Sequence, residues 1–139
     1  MISEGLAAAL RDAGLRWAPA AGDRFVIPQP ALSGQVFTLS EMTIEAHHYP
    51  TGTILGFNGT TEWALDSVAQ EDVLWLPRED QLRELLGATF VALQREPGGD
   101  WVVATREPDG SLREHRAVTA ADAYGSALLE LVQRATAPV

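Results

Sequence analysis

Two turn sequences constrain this chain more than any other feature. Pro97-Gly98-Gly99-Asp100 and Pro108-Asp109-Gly110-Ser111 divide residues 89–118 into three extended runs: Thr89–Arg95, Trp101–Glu107 and Leu112–Val118. Proline suits the first central position of a tight turn, and glycine a position that needs positive φ. Runs joined this closely pair as antiparallel neighbours, because a parallel crossover needs a dozen or more residues. The same chemistry recurs earlier. Tyr49-Pro50-Thr51-Gly52 joins the run Glu41–His48 to Thr53–Phe57. With Arg24–Ile27 and Val36–Leu39, this predicts an antiparallel meander over residues 24–57.

Helix signals stand before, between and after these runs. Ser3 is placed to cap a helix over 3–14, and Gly14 to end it. Leu6, Ala9, Leu10 and Ala13 form its apolar face. A second helix is expected over 78–87, opened by Pro77 and the acids Glu79 and Asp80, and stopped by Gly87. The third is the most strongly marked. Thr119 and Asp122 fit a capping box, and Ala121, Tyr124, Leu128, Leu131, Val132 and Ala135 share one face. Segment 58–77 is less regular, with a short helix expected within 62–70 and an extended piece over 72–76. The order α-βββ(β)-α-βββ-α defines the α+β class. It predicts antiparallel sheet of about six to seven strands with three main helices in two layers, not a doubly wound parallel sheet. A length of 139 residues fits a single domain, 1–139.

Composition removes whole mechanisms. All 10 basic residues are arginine, so there is no P-loop lysine and no Schiff-base lysine. There is no cysteine, hence no disulfide framework, thiolate nucleophile or cysteine-type zinc site. Against 19 acidic residues the net charge is −9. That balance argues against nucleic-acid partners, where cations must replace condensed counterions. It argues equally against an anionic membrane surface. No apolar stretch approaches the ~18 residues of a membrane span. The acidic start Met1-Ile2-Ser3-Glu4 is unlike a secretory signal, and the expected compartment is the cytoplasm. No cofactor is expected.

Candidate chemistry is sparse. Glu45, His47 and His115 are outside candidates for a metal site, since a carboxylate and two imidazoles can hold zinc; edge histidines are the plainer reading. Serine, histidine and aspartate are all present, but no G-x-S-x-G elbow is. Arg78–Gly87 lacks the run of glutamates that a Nudix helix uses to hold magnesium, with Leu82 and Arg83 in the way. The tryptophans Trp63 and Trp75 bracket a polar, glycine-containing loop with Asn58, Thr60 and Glu62. Binding residues often sit on such loops, so Asn58, Thr60, Glu62, Trp63 and Trp75 are the candidate ligand-binding residues. Apolar packing beside Glu62 would raise its pKa toward acid/base work, with Asn58 as an orienting amide. The alternative is that Trp63 and Trp75 pin a crossover onto the core.

The stretch Phe57-Asn58-Gly59-Thr60-Thr61-Glu62-Trp63-Ala64-Leu65-Asp66-Ser67-Val68, followed by Leu74-Trp75-Leu76-Pro77-Arg78-Glu79-Asp80-Gln81-Leu82, resembles a group of small uncharacterised actinobacterial proteins. The resemblance extends over most of the chain. It implies no activity, so no site residue is carried over from it. Some members bear a pilus-assembly label, but the ATPases of that name use a P-loop variant that a lysine-free chain lacks. The Trp-Leu-Pro and Asp-Gln-Leu pattern also resembles segments of small bacterial and phage proteins. The element order is similar to that of type III secretion chaperones, which are small acidic dimers; that likeness is architectural.

Three functions are expected from these readings. The first is a non-catalytic protein-interaction or chaperone-like module with a protein or peptide partner, itself a homodimer. The second is a small-ligand binder or small enzyme with a pocket near residues 58–63. The third is a phage-related or defence-associated accessory protein that mimics an acidic polymer.

Overall fold

A computed structural model describes residues 1–40, 44–49, 52–57, 67–69 and 72–136, with side chains over 1–40 and 72–136. The protein is α+β, and every sheet among the described residues is antiparallel. The helices fall before, between and after the strand runs, as the sequence predicts. The strands among the described residues number nine, in three three-stranded sheets. Chain contacts group into two compact units: Met1–Arg16 with Pro77–Val139, and Trp17–Leu76. Among the described residues, no helix is long and apolar enough to cross a membrane.

The first unit holds helix α1 (Glu4–Ala13), helix α2 (Glu79–Leu86), strands β7 (Phe90–Arg95), β8 (Trp101–Arg106) and β9 (Leu112–Ala117), and helix α3 (Ala120–Thr136). Its two hairpin loops share one design. In each, a glutamate carbonyl accepts an N–H three residues on, from Gly99 to Glu96 and from Gly110 to Glu107. The glycine then takes positive φ, 100° at Gly99 and 87° at Gly110, where a Cβ would be strained. Asp109 locks the second loop by accepting from both the N–H and the hydroxyl of Ser111. β8 and β9 pair without interruption from Trp101↔Ala117 to Arg106↔Leu112. β7 carries a bulge between Phe90 and Ala92.

α3 packs against α1, α2, β8 and β9. Its buried face is broader than the sequence predicts and includes Ala123, Gly125 and Ala127. These small residues let α1 come close: a Cβ built on Gly125 would lie 2.6 Å from Leu6 Cδ2. The capping box is only half realised. Thr119 Oγ1 accepts from the Asp122 N–H, whereas the Asp122 carboxylate accepts from the backbone N–H of Ser3. Ser3 in turn caps α1 through the Leu6 N–H. The starts of α1 and α3 are thus tied across most of the sequence.

The second unit contains two sheets. Strands β1 (Arg24–Val26), β2 (Val36–Thr38) and β6 (Leu74–Leu76) form one, in the order β2-β1-β6. Strands β3 (Ile44–Tyr49), β4 (Gly52–Phe57) and β5 (Ser67–Ala69) form the other, with Tyr49↔Gly52 closing the expected hairpin. The helix expected within 62–70 is not what Ser67–Ala69 adopts: those residues are β5, paired to β4 through Leu55↔Val68. A strand partner uses the β-branched Val68 better than an isolated helical turn, which cannot nucleate alone.

Phe25, Ile27, Leu39 and Val73 make a buried cluster with Trp17, Leu32 and Phe37 packed against it. Phe25 is fully enclosed, with Trp17 at 5.7 Å and Phe37 at 5.5 Å between ring centroids. One carboxylate lies at this cluster. Asp23 is 3% exposed, and its Oδ2 accepts from Trp17 Nε1 at 2.8 Å and from the Ala20 N–H at 3.0 Å.

Candidate functional site

The candidate site lies in the first unit, between α3 and the β8–β9 hairpin. It is a groove of about 470 Å³, within the usual range for ligand-binding clefts. Leu86, Ala88, Ala127, Leu131 and Ala135 supply apolar wall, and Thr105, Glu107, His115, Glu130 and Arg134 a polar side. Strand alternation explains who is there. Arg113 and His115 are two apart on β9 and share a face, and Thr105 stands opposite Arg113 on β8. Glu130 and Arg134 are four apart on α3 and so lie on one helix face.

These groups form one network. Arg134 grips Glu107 with both terminal nitrogens, Nη2 lying 3.0 Å from Oε1. The same Nη2 donates to Glu130 Oε1 at 2.6 Å. Arg113 Nη1 also pairs with Glu130 Oε1, and its Nε lies 3.7 Å from Glu107. Two carboxylates therefore balance two guanidiniums. The Arg134 guanidinium, chiefly by its hydrogen bond, holds Glu107 below the usual carboxylate range, and Glu107 raises Arg134 in return. Arg106 spends Nη1 on the Gly110 carbonyl.

His115 sits at the inner side of the network, its side chain 9% exposed. Thr105 Oγ1 lies 3.3 Å from its Nε2, a hydrogen bond whose donor depends on the imidazole tautomer. Burial, and next the Arg113 cation, hold His115 below its ordinary value near 6.5; Glu107 pulls the other way and Arg134 adds to the lowering. A hydroxyl, an imidazole and a carboxylate thus stand in series. His115 Nδ1 is 3.6 Å from Glu130 Oε2, outside hydrogen-bond range, and Glu130 is committed to two arginines. The arrangement can hold a neutral imidazole and a hydroxyl beside an apolar wall.

The lowered His115 pKa carries a consequence for stability. Above about pH 6.5 both folded and unfolded chains carry neutral imidazole there. As pH falls further, the unfolded chain takes a proton that the folded site resists, so stability is lost toward the folded pKa. Urea midpoints measured between about pH 7.5 and about pH 5 should fall less steeply for His115→Gln than for the natural chain. Equal slopes would show that His115 is not held neutral by the fold.

Of the candidate ligand-binding residues, Trp75 is placed with its side chain. It stacks on Trp17 at 6.3 Å between ring centroids and 10° between planes, as a packing residue would. Its Nε1 is enclosed without a hydrogen-bond partner among the described residues. Asn58, Thr60, Glu62 and Trp63 lie outside the described residues. Glu45 and His47 lie on β3 of the second unit, and His115 on β9 of the first. Among the described residues, no group of three or more candidate ligands could hold a metal ion. Thr105, Glu107, Arg113, Glu130 and Arg134 were not singled out by sequence reasoning. The Glu130/Arg134 spacing and the alternation Arg113/His115 were their only signals.

Compared with protein-family models, curated proteins and solved structures, the chain matches none.

Proposed function

We propose that the chain is a non-catalytic binding module that seats apolar side chains of a polypeptide partner in the α3/β8–β9 groove. One observation supports this above all: the groove has an aliphatic wall, while Glu107 and Glu130 are committed to Arg113 and Arg134 and Arg106 is turned to a backbone carbonyl. A site whose carboxylates are already paired favours an uncharged apolar occupant, because they need no cation from the partner. The remaining polar pair, Thr105 and His115, can order a backbone amide beside that wall. The net charge of −9 favours partners with basic flanks by steering their approach.

Panning a displayed random-peptide library on the chain tests the reading. Enriched peptides should share apolar residues, and a synthetic consensus peptide should bind the natural chain at least about tenfold tighter than Ala135→Trp. Ala135 is an exposed position on the last turn of α3, so the new indole covers the groove without disturbing the core. Failure of any sequence to enrich, or equal affinity for both chains, would sink it.

A further inference from the structure

The groove uses only one face of β9 and leaves its outer edge uncovered. β9 is the outer strand of the sheet β7-β8-β9, and an outer strand with unpaired backbone groups invites another strand. The other edge of this sheet is blunted by the bulge in β7, whereas β9 is regular over all its rungs. It is also bare. Leu112 at its start is 56% exposed, and Val118, one step past its end, is 79% exposed. The side chains of Glu114 and Arg116 are about half exposed.

We infer that β9 is a homodimerisation edge, pairing antiparallel with β9 of a second copy about a two-fold axis at His115. The register follows from symmetry. A two-fold axis perpendicular to a sheet passes through a pair of directly opposed residues, so one residue must face its own copy. Centring on Glu114 sets two carboxylates opposite each other, and centring on Arg116 sets two guanidiniums opposite; like charges directly opposed destabilise a sheet. Centring on His115 sets Glu114 against Arg116 of the second copy, twice. It also sets Leu112 against Val118, twice, covering both exposed apolar side chains. In each copy Leu112, Glu114 and Arg116 lie on the sheet face away from α3, because they alternate with Arg113, His115 and Ala117, and Val118 follows in an exposed bend. The axis residue itself is turned inward, hydrogen-bonded to Thr105 of its own subunit. In the single chain Arg116 lies 3.6 Å from Glu114 and reaches Glu96 of the β7–β8 turn at 2.8 Å, a pair that the cross-axis contact with Glu114 of the second copy must share.

An interface of one strand pair is small, and such contacts associate weakly. Sedimentation velocity on the full chain, from roughly 5 µM to roughly 1 mM, should show the mass rising from 15.0 kDa toward about twice that value. Glu114→Arg alone and Arg116→Glu alone each place like charges across the axis, and each should weaken association at least about tenfold. The double exchange Glu114→Arg/Arg116→Glu restores the opposed pairs and should return association to within about threefold of the natural chain. Val118→Lys, in an exposed bend, should weaken it independently of the ion pairs. Far-UV circular dichroism confirms that each variant is folded. A mass of 15.0 kDa at every concentration, association indifferent to the single exchanges, or a double exchange that does not recover would each overturn the inference.

Discussion

Gly125→Val should destabilise the first unit by about 2–3 kcal/mol, read as a lowered urea midpoint. Intrinsic propensity argues the other way: glycine inside a helix costs up to about 1 kcal/mol relative to alanine. Packing decides the sign. A Cβ at this position would meet Leu6 Cδ2 at 2.6 Å, Ile2 Cδ1 at 3.0 Å and Leu6 Cγ at 3.2 Å. Leu6 belongs to α1 and Ile2 is buried just before it, so α1 must move or Leu6 must leave its rotamer. A valine adds two further methyls to that contact. The partner change tests the mechanism. In the background Leu6→Ala, the valine should cost markedly less, a coupling that a double-mutant cycle measures directly. A valine tolerated without loss would mean that α1 and α3 are not held by this close approach.

Asp23→Ala should cost about 2–4 kcal/mol, while Asp23→Asn should cost much less. The carboxylate oxygen Oδ2 takes both the Trp17 indole N–H and the Ala20 backbone N–H. Alanine leaves both donors without their acceptor, and the half-buried Trp17 ring that packs on Phe25 and Trp75 loses its anchor. An amide oxygen in asparagine can accept the same two bonds. Denaturant unfolding of the two variants, with near-ultraviolet circular dichroism following the tryptophans, separates lost hydrogen bonding from lost charge. Equal destabilisation by alanine and asparagine would assign the effect to the negative charge instead.

The elements that the sequence announces are those set by neighbours in the chain. The two hairpin loops of the first unit follow from glycine at the positive-φ position and proline two residues before it. The ends of α1 follow from Ser3 and Gly14, whose left-handed φ of 118° stops the helix. Segment 58–77 is not legible in this way because its short runs carry no clear period. There Ser67–Ala69 took strand form through pairing with β4, a choice made by residues a dozen positions away. The candidate groove was illegible for a related reason. Glu130 reads as an ordinary surface charge of an amphipathic helix, and Arg113 as one of many scattered arginines. Nothing in their local sequence says that they meet.

By itself, the sequence determined where the chain turns, which runs outside segment 58–77 are extended and which helical, and that no lysine or cysteine chemistry is available. These are consequences of local sterics, side-chain period and inventory. Tertiary structure alone decided that Gly125 is a contact point rather than a weakness, and that Asp23 is a buried acceptor. It alone brought Thr105, Glu107, Arg113 and His115 under Glu130 and Arg134. Alternation along a strand names two faces but not which one a helix will cover. Helical period names a stripe but not its partner. Those choices are made by packing between segments distant in sequence, where the close approach of α1 to α3 and the seating of α3 on β8 and β9 select one arrangement.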